Sequence, residues 1–95
     1  MAYKRYKLFF RTPMNVTRVN QPIKVAAVFD GPSIKPKWFT WVNKKFEIKK
    51  VAMVWKSYDG SARIMHFSVT DGSSLYEISF NNRTYEWRLE KIAVE

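Results

Sequence analysis

The sequence predicts an all-β protein: one small domain of about six antiparallel strands, either rolled into an SH3-like or OB-like barrel or left as a strongly curved meander sheet. Three observations carry that reading. Apolar and polar residues alternate at period two over most of the chain. Turn residues fall between the alternating runs, as in Asp30-Gly31-Pro32, Asp59-Gly60, Asp71-Gly72 and Asn82-Arg83. The parities of neighbouring runs also agree, so one set of registers buries every inner face. Nothing has the period of a long amphipathic helix.

The clearest stretch is Trp38 to Trp55. With Asn43-Lys44 as the central turn residues, Trp41 opposes Phe46 and Phe39 opposes Ile48, all on one face. Asn tolerates the positive φ such a turn needs. After Ile48 the phase breaks at Lys49-Lys50, and the apolar positions resume as Val51, Met53 and Trp55. One inserted residue restores alternation, which is a β-bulge, so Lys45 to Lys56 reads as a single bent strand with two cations at its corner.

Before that stretch, Ile23, Val25, Ala27 and Phe29 share a face after Pro22 and form a first core strand. Residues 1–21 precede it as a basic arm or edge strand, with Tyr6–Arg11 as a candidate short strand; residues 22–95 form the β domain. Later, Met65, Phe67 and Val69 can face Phe80, Ile78 and Tyr76. Those in turn can face Tyr85, Trp87 and Leu89.

The 95 residues suffice for one core, and 46% are hydrophobic, 17% aromatic. Each buried Phe-sized side chain contributes about 1.5–3 kcal/mol, so a dozen or so hold a small barrel together without a staple. With no cysteine there is neither a disulfide nor a thiolate metal site, which fits a reducing cytoplasm. No apolar run approaches a membrane span or a signal-peptide core. The net charge of +9 is uneven: residues 1–56 carry 13 Lys and Arg against Asp30 and Glu47. Such clustering points to an anionic partner, nucleic acid first and anionic lipid or an acidic protein after it, although lysines also serve solubility and edge protection.

The candidate contacts follow. Lys35, Lys37, Lys44, Lys45, Lys49, Lys50 and Lys56 are placed to meet phosphates. Trp38, on the opposite face from Phe39 and Trp41, and Tyr58, beside Lys56 at a loop tip, are the stacking residues. The bland alternative buries Trp38 beneath another segment, as most large aromatics are buried. His66 is the only histidine and has no visible partner. Asp59 and Asp71 precede glycine and make turns. Glu77, Glu86 and Glu90 lie outward and can pair with Arg88 or Lys91. Three scattered glycines make no phosphate loop, so no enzyme, cofactor or metal is expected.

Pro36, Phe39, Trp41, Phe46 and Ile48, then Trp55, Tyr76-Glu77-Ile78 and Trp87-Arg88-Leu89, resemble the pattern of a family of short, uncharacterised bacterial β-domains. That pattern is a Phe-x-Trp strand, a turn, Tyr-x-Val, a later Trp, then Tyr-Glu-Leu and Trp-x-Leu. The resemblance spans residues 22–92 and departs at Asn43-Lys44, where the family usually carries glycine. It implies the all-β fold. Because some members are encoded beside error-prone DNA polymerases, it also implies a link to DNA metabolism.

Overall fold

The computed structural model describes residues 15–94, and the structural statements below concern those residues. Seven strands, not six, run in chain order: β1 (Asn15–Asp30), β2 (Ser33–Trp41), β3 (Lys44–Glu47), β4 (Lys50–Asp59), β5 (Ala62–Thr70), β6 (Leu75–Asn81) and β7 (Trp87–Val94). They make one antiparallel sheet in the order β3-β2-β1-β7-β6-β5-β4. The sheet is not closed into a barrel, because its edge strands β3 and β4 share no ladder. The candidate strand Tyr6–Arg11 lies outside the described residues.

β1 is the hinge. Its first half, Asn15 to Ile23, pairs with β7, and its second half, Lys24 to Asp30, pairs with β2. Residues 15–21 are therefore part of the sheet, and Pro22 falls where β1 has a single neighbour, so its missing N–H interrupts no second ladder. A bulge between Arg18 and Gln21 bends the strand, with Asn20 at φ 54°. The Arg88 guanidinium holds that bulge, donating to the Asn20 carbonyl at 2.6 Å and to its Oδ1 at 2.8 Å. Further register shifts between Ala26 and Ala27, Val51 and Met53, and Glu77 and Ile78 add to the coiling.

The opposite corner is made by two residues. Between β3 and β4, Ile48 N–H donates to the Lys37 carbonyl at 3.0 Å and Lys49 N–H to the Thr70 carbonyl at 2.8 Å. The chain thus steps from one edge of the sheet to the other. The predicted bend is present here, one residue before Lys49-Lys50, but it separates two strands rather than bulging one.

Three other expectations are corrected. The β2–β3 turn is Val42-Asn43, with φ 53° and 59°, instead of Asn43-Lys44. Phe39 accordingly faces Phe46, and Trp41 faces Lys44. The register moved by two in total, which preserves the face, so Phe39, Trp41, Phe46 and Ile48 still meet the core. Along β4, the extra residue lies between Val51 and Met53; Met53 and Trp55 therefore oppose Ser68 and His66 on the outer side. Val51, Met53 and Val54 are exposed. Tyr85, expected inside, is 76% exposed, because the β6–β7 loop is longer than a two-residue turn and Phe80 pairs with Trp87.

The β5–β6 register is as predicted: Met65, Phe67 and Val69 face Phe80, Ile78 and Tyr76. The core lies between the two halves of the bent sheet. Phe39 stacks on Phe46 at 4.9 Å, and both meet Tyr76 edge-on. Trp87 packs on Phe80 and Phe67.

A polar latch closes the end of this core. Asp71 accepts the backbone N–H groups of Ser73 and Ser74, the Ser73 hydroxyl, and the Tyr76 hydroxyl at 2.8 Å. Burial alone would raise the Asp71 carboxyl, but the bonds from Ser74, Ser73 and Tyr76 outweigh it and hold it below its ordinary range. Burial first, then the bond to Asp71 and its charge, push Tyr76 up to about 12 from 10.0. A raised phenol favours the protonated folded form, so its contribution is complete below pH 10 and is lost as pH climbs towards 12. Asp71 has the opposite sign: its contribution is present above 3.8 and is lost as pH falls through its lowered value. We expect Tyr76→Phe to cost about 1 kcal/mol near neutrality and to flatten the alkaline limb of the stability profile. Denaturant melts across pH measure both; an unchanged alkaline limb would remove Tyr76 from that role.

Candidate nucleic-acid interface

Phe39 and its cross-strand partners Val25 and Phe46 fill the inner side of the β1–β2–β3 half, so the alternate positions face outward. That places Lys24 opposite Thr40, Ala26 opposite Trp38 and Val28 opposite Lys35; Thr40 in turn faces Lys45, and Trp38 faces Glu47. Lys24, Lys35, Trp38 and Lys45 therefore share one surface. Its one acid at these positions, Glu47, is 3.2 Å from Lys45 Nζ. The ring of Trp38 is half-buried and carries Lys45 Nζ 4.7 Å from its centroid. The expected stacking platform is thus occupied on one side by a cation.

The other sequence-derived candidates disperse. Lys37 lies at the β2 irregularity, where its carbonyl receives Ile48. Lys44, opposite Trp41, stands 5.6 Å over the Phe46 ring. Lys49 and Lys50 mark the corner between β3 and β4. Lys56 and Tyr58 are farther along β4, opposite Met65 and Arg63, with Tyr58 69% exposed.

Sequence reasoning passed over two residues. Lys24 stands among the inward-facing alternation of the first core strand, and only its pairing with Thr40 puts it in line with Lys45, on the far side of β2. Trp41 packs against the core as expected, but it has a second role. It is half-buried, and it lines an open groove of about 800 Å³ between the Gln21–Lys24 segment and the β2–β3 turn. Its indole N–H donates to Gln21 Oε1 at 2.8 Å, which fixes the ring at the groove wall.

His66 does have partners. Ser57 Oγ is 2.7 Å from Nε2, Glu77 Oε2 is 3.5 Å from Nδ1, and Trp55 stacks on the ring at 5.1 Å with planes 6° apart. Lys91 Nζ is 3.7 Å from the same carboxylate. The Nδ1 atom is buried without a hydrogen bond, so Glu77 is close but poorly aligned. A hydroxyl, an imidazole and a carboxylate in this order can pass a proton. Here they lie across the outer face of β4, β5 and β6, with Ser57 exposed. Of the outward acids, Glu77 pairs with Lys91, Glu86 with Arg88 at 3.3 Å, and Glu90 accepts the Ser79 hydroxyl at 2.6 Å. Among the described residues, no group of three or more His, Asp or Glu could hold a metal ion, and no helix is long and apolar enough to cross a membrane.

No family model, curated protein or solved structure matches the chain.

Proposed function

We propose that the protein is a non-enzymatic, cytoplasmic binding module that follows a nucleic-acid backbone across the outer face of β1–β2–β3. The observation that carries this reading is the convergence of Lys24, Lys35 and Lys45 around Trp38, with Glu47, in an exposed pair with Lys45, the one acid at these positions. Lysines on a sheet act as point charges for phosphates, and a twisted antiparallel surface spaces them along a curved path. Lys37, Lys49 and Lys50 extend the charge towards the corner. The basic balance of residues 1–56 adds long-range attraction and speeds encounter.

Fluorescence anisotropy with labelled duplex and single-stranded DNA and RNA, from about 50 to 300 mM salt, tests it. The three converging lysines alone give a slope of log K against log salt of roughly −3 for duplex and about −2 for single strands, and Lys37, Lys49 and Lys50 steepen it. Absence of binding at the lowest salt, or binding indifferent to salt, would overturn the reading. One observation favours a second reading, a protein-interaction adaptor: Val51, Met53 and Val54 are exposed on edge strand β4. There an acidic partner would add a strand beside the corner lysines. Saturable binding to one protein, unaffected by DNA, is its signature.

A further inference from the structure

We infer that the groove beside the β2–β3 turn receives a single unpaired nucleobase, stacked on Trp41, with its neighbouring phosphates held by Lys24 and Lys44. This rests on the nucleic-acid reading above and adds to it a preference for single strands. Three features support the site. Trp41 is half-buried, with Phe46 tilted against it at 6.3 Å, so the ring is braced where it meets the groove. Its N–H is already committed to Gln21, which leaves the indole to act through its apolar face. The lining contains three lysines, Lys24, Lys44 and Lys45, and no acid.

The alternative aromatic, Trp38, is less suited, because Lys45 occupies one side of its ring and Glu47 is its cross-strand neighbour. Thr40 and Asn43 at the groove offer polar groups to a base edge. Pro22 and Ile23 supply the apolar opposite wall. An aromatic shelf with cations on either side suits a polyanion that also has a flat apolar ring to bury, and any base meets that description. A duplex offers no such face away from its ends, since its bases are already stacked.

The experiment compares oligo(dT) with a blunt duplex of equal phosphate number, using anisotropy and the indole N–H resonances of the full chain. Tighter binding of oligo(dT), with the Trp41 resonance shifting first, is the expected result. Trp41→Leu should then lower oligo(dT) affinity roughly 5- to 150-fold and leave duplex affinity unchanged. If both DNAs bind and Trp41→Leu alters neither, the base site is wrong while the phosphate face stands. If neither DNA binds, both readings fall. Should Trp41→Leu not fold, the resonance map decides on the unaltered chain. Shifts centred on residues 21–24 and 40–45 support the groove, and shifts centred on Trp38 overturn it.

Discussion

Phe39→Ala is expected to cost about 3–5 kcal/mol, a large part of the roughly 5–15 kcal/mol that holds a typical domain. Phe39 is 0% exposed. It stacks on Phe46 at 4.9 Å and meets Tyr76 edge-on at 5.3 Å, so its ring joins the β2–β3 wing to β6. Truncation would leave a cavity between the Phe46 and Tyr76 rings. The bent sheet cannot refill it without changing the crossing at Ile48 and Lys49, which is fixed by hydrogen bonds on both sides. The same change at Phe29, which is 57% exposed and touches Phe80 at 5.6 Å, should cost well under half as much. Urea unfolding of both variants provides the comparison. Equal costs would mean that the halves are not joined through Phe39.

The second large effect concerns binding. On the proposed reading, replacing Lys24, Lys35 and Lys45 together by glutamine removes three phosphate contacts. At about 0.1 M salt this should weaken duplex binding on the order of 10²- to 10³-fold and reduce the salt slope by about 3. The three side chains are outward-facing and exposed, so melting should move little. Lys45 also leaves Trp38 and Glu47, and loses with them only a solvent-screened pair. A like triple change of Lys56, Arg63 and Arg83, across the molecule, should have a much smaller effect. If the two triples weaken binding alike, net charge alone is responsible and the face has no special role.

How far these features were legible in the sequence depends on which elements had local signals. The β5–β6 register was readable because alternation continues into Asp71-Gly72 without an extra residue, leaving one parity for both strands. The β2–β3 turn falls one residue before the place that turn propensity predicts. Val42 takes φ 53°, a conformation unusual for a β-branched side chain, and the propensity rule gave that place to Asn and Lys. The face of β4 was misread for a related cause. A bulge at Ala52 reverses the phase, and a run of consecutive apolar residues carries no parity of its own. Tyr85 looked like one more step of an alternating strand, but it takes φ 63° in the loop. For the interface, the charge of the first half was visible and its convergence was not, since which lysines meet depends on β1 changing partners at Ile23-Lys24. The groove was hidden for the same reason. The partners of His66 lie on other strands and follow from pairing alone.

The pairing of β1 with β7 also decides how the molecule answers to force. Asn15 of β1 and Val94 of β7 are Cα partners, and together they form the end rung of one antiparallel ladder. Tension applied through residues 15 and 94 therefore loads that ladder at its end and peels it one rung at a time, rather than shearing all its bonds together. Each step would free a residue pair until the Arg88 clamp on Asn20 takes the load, so that clamp, and not the aromatic core, is the first real resistance to pulling.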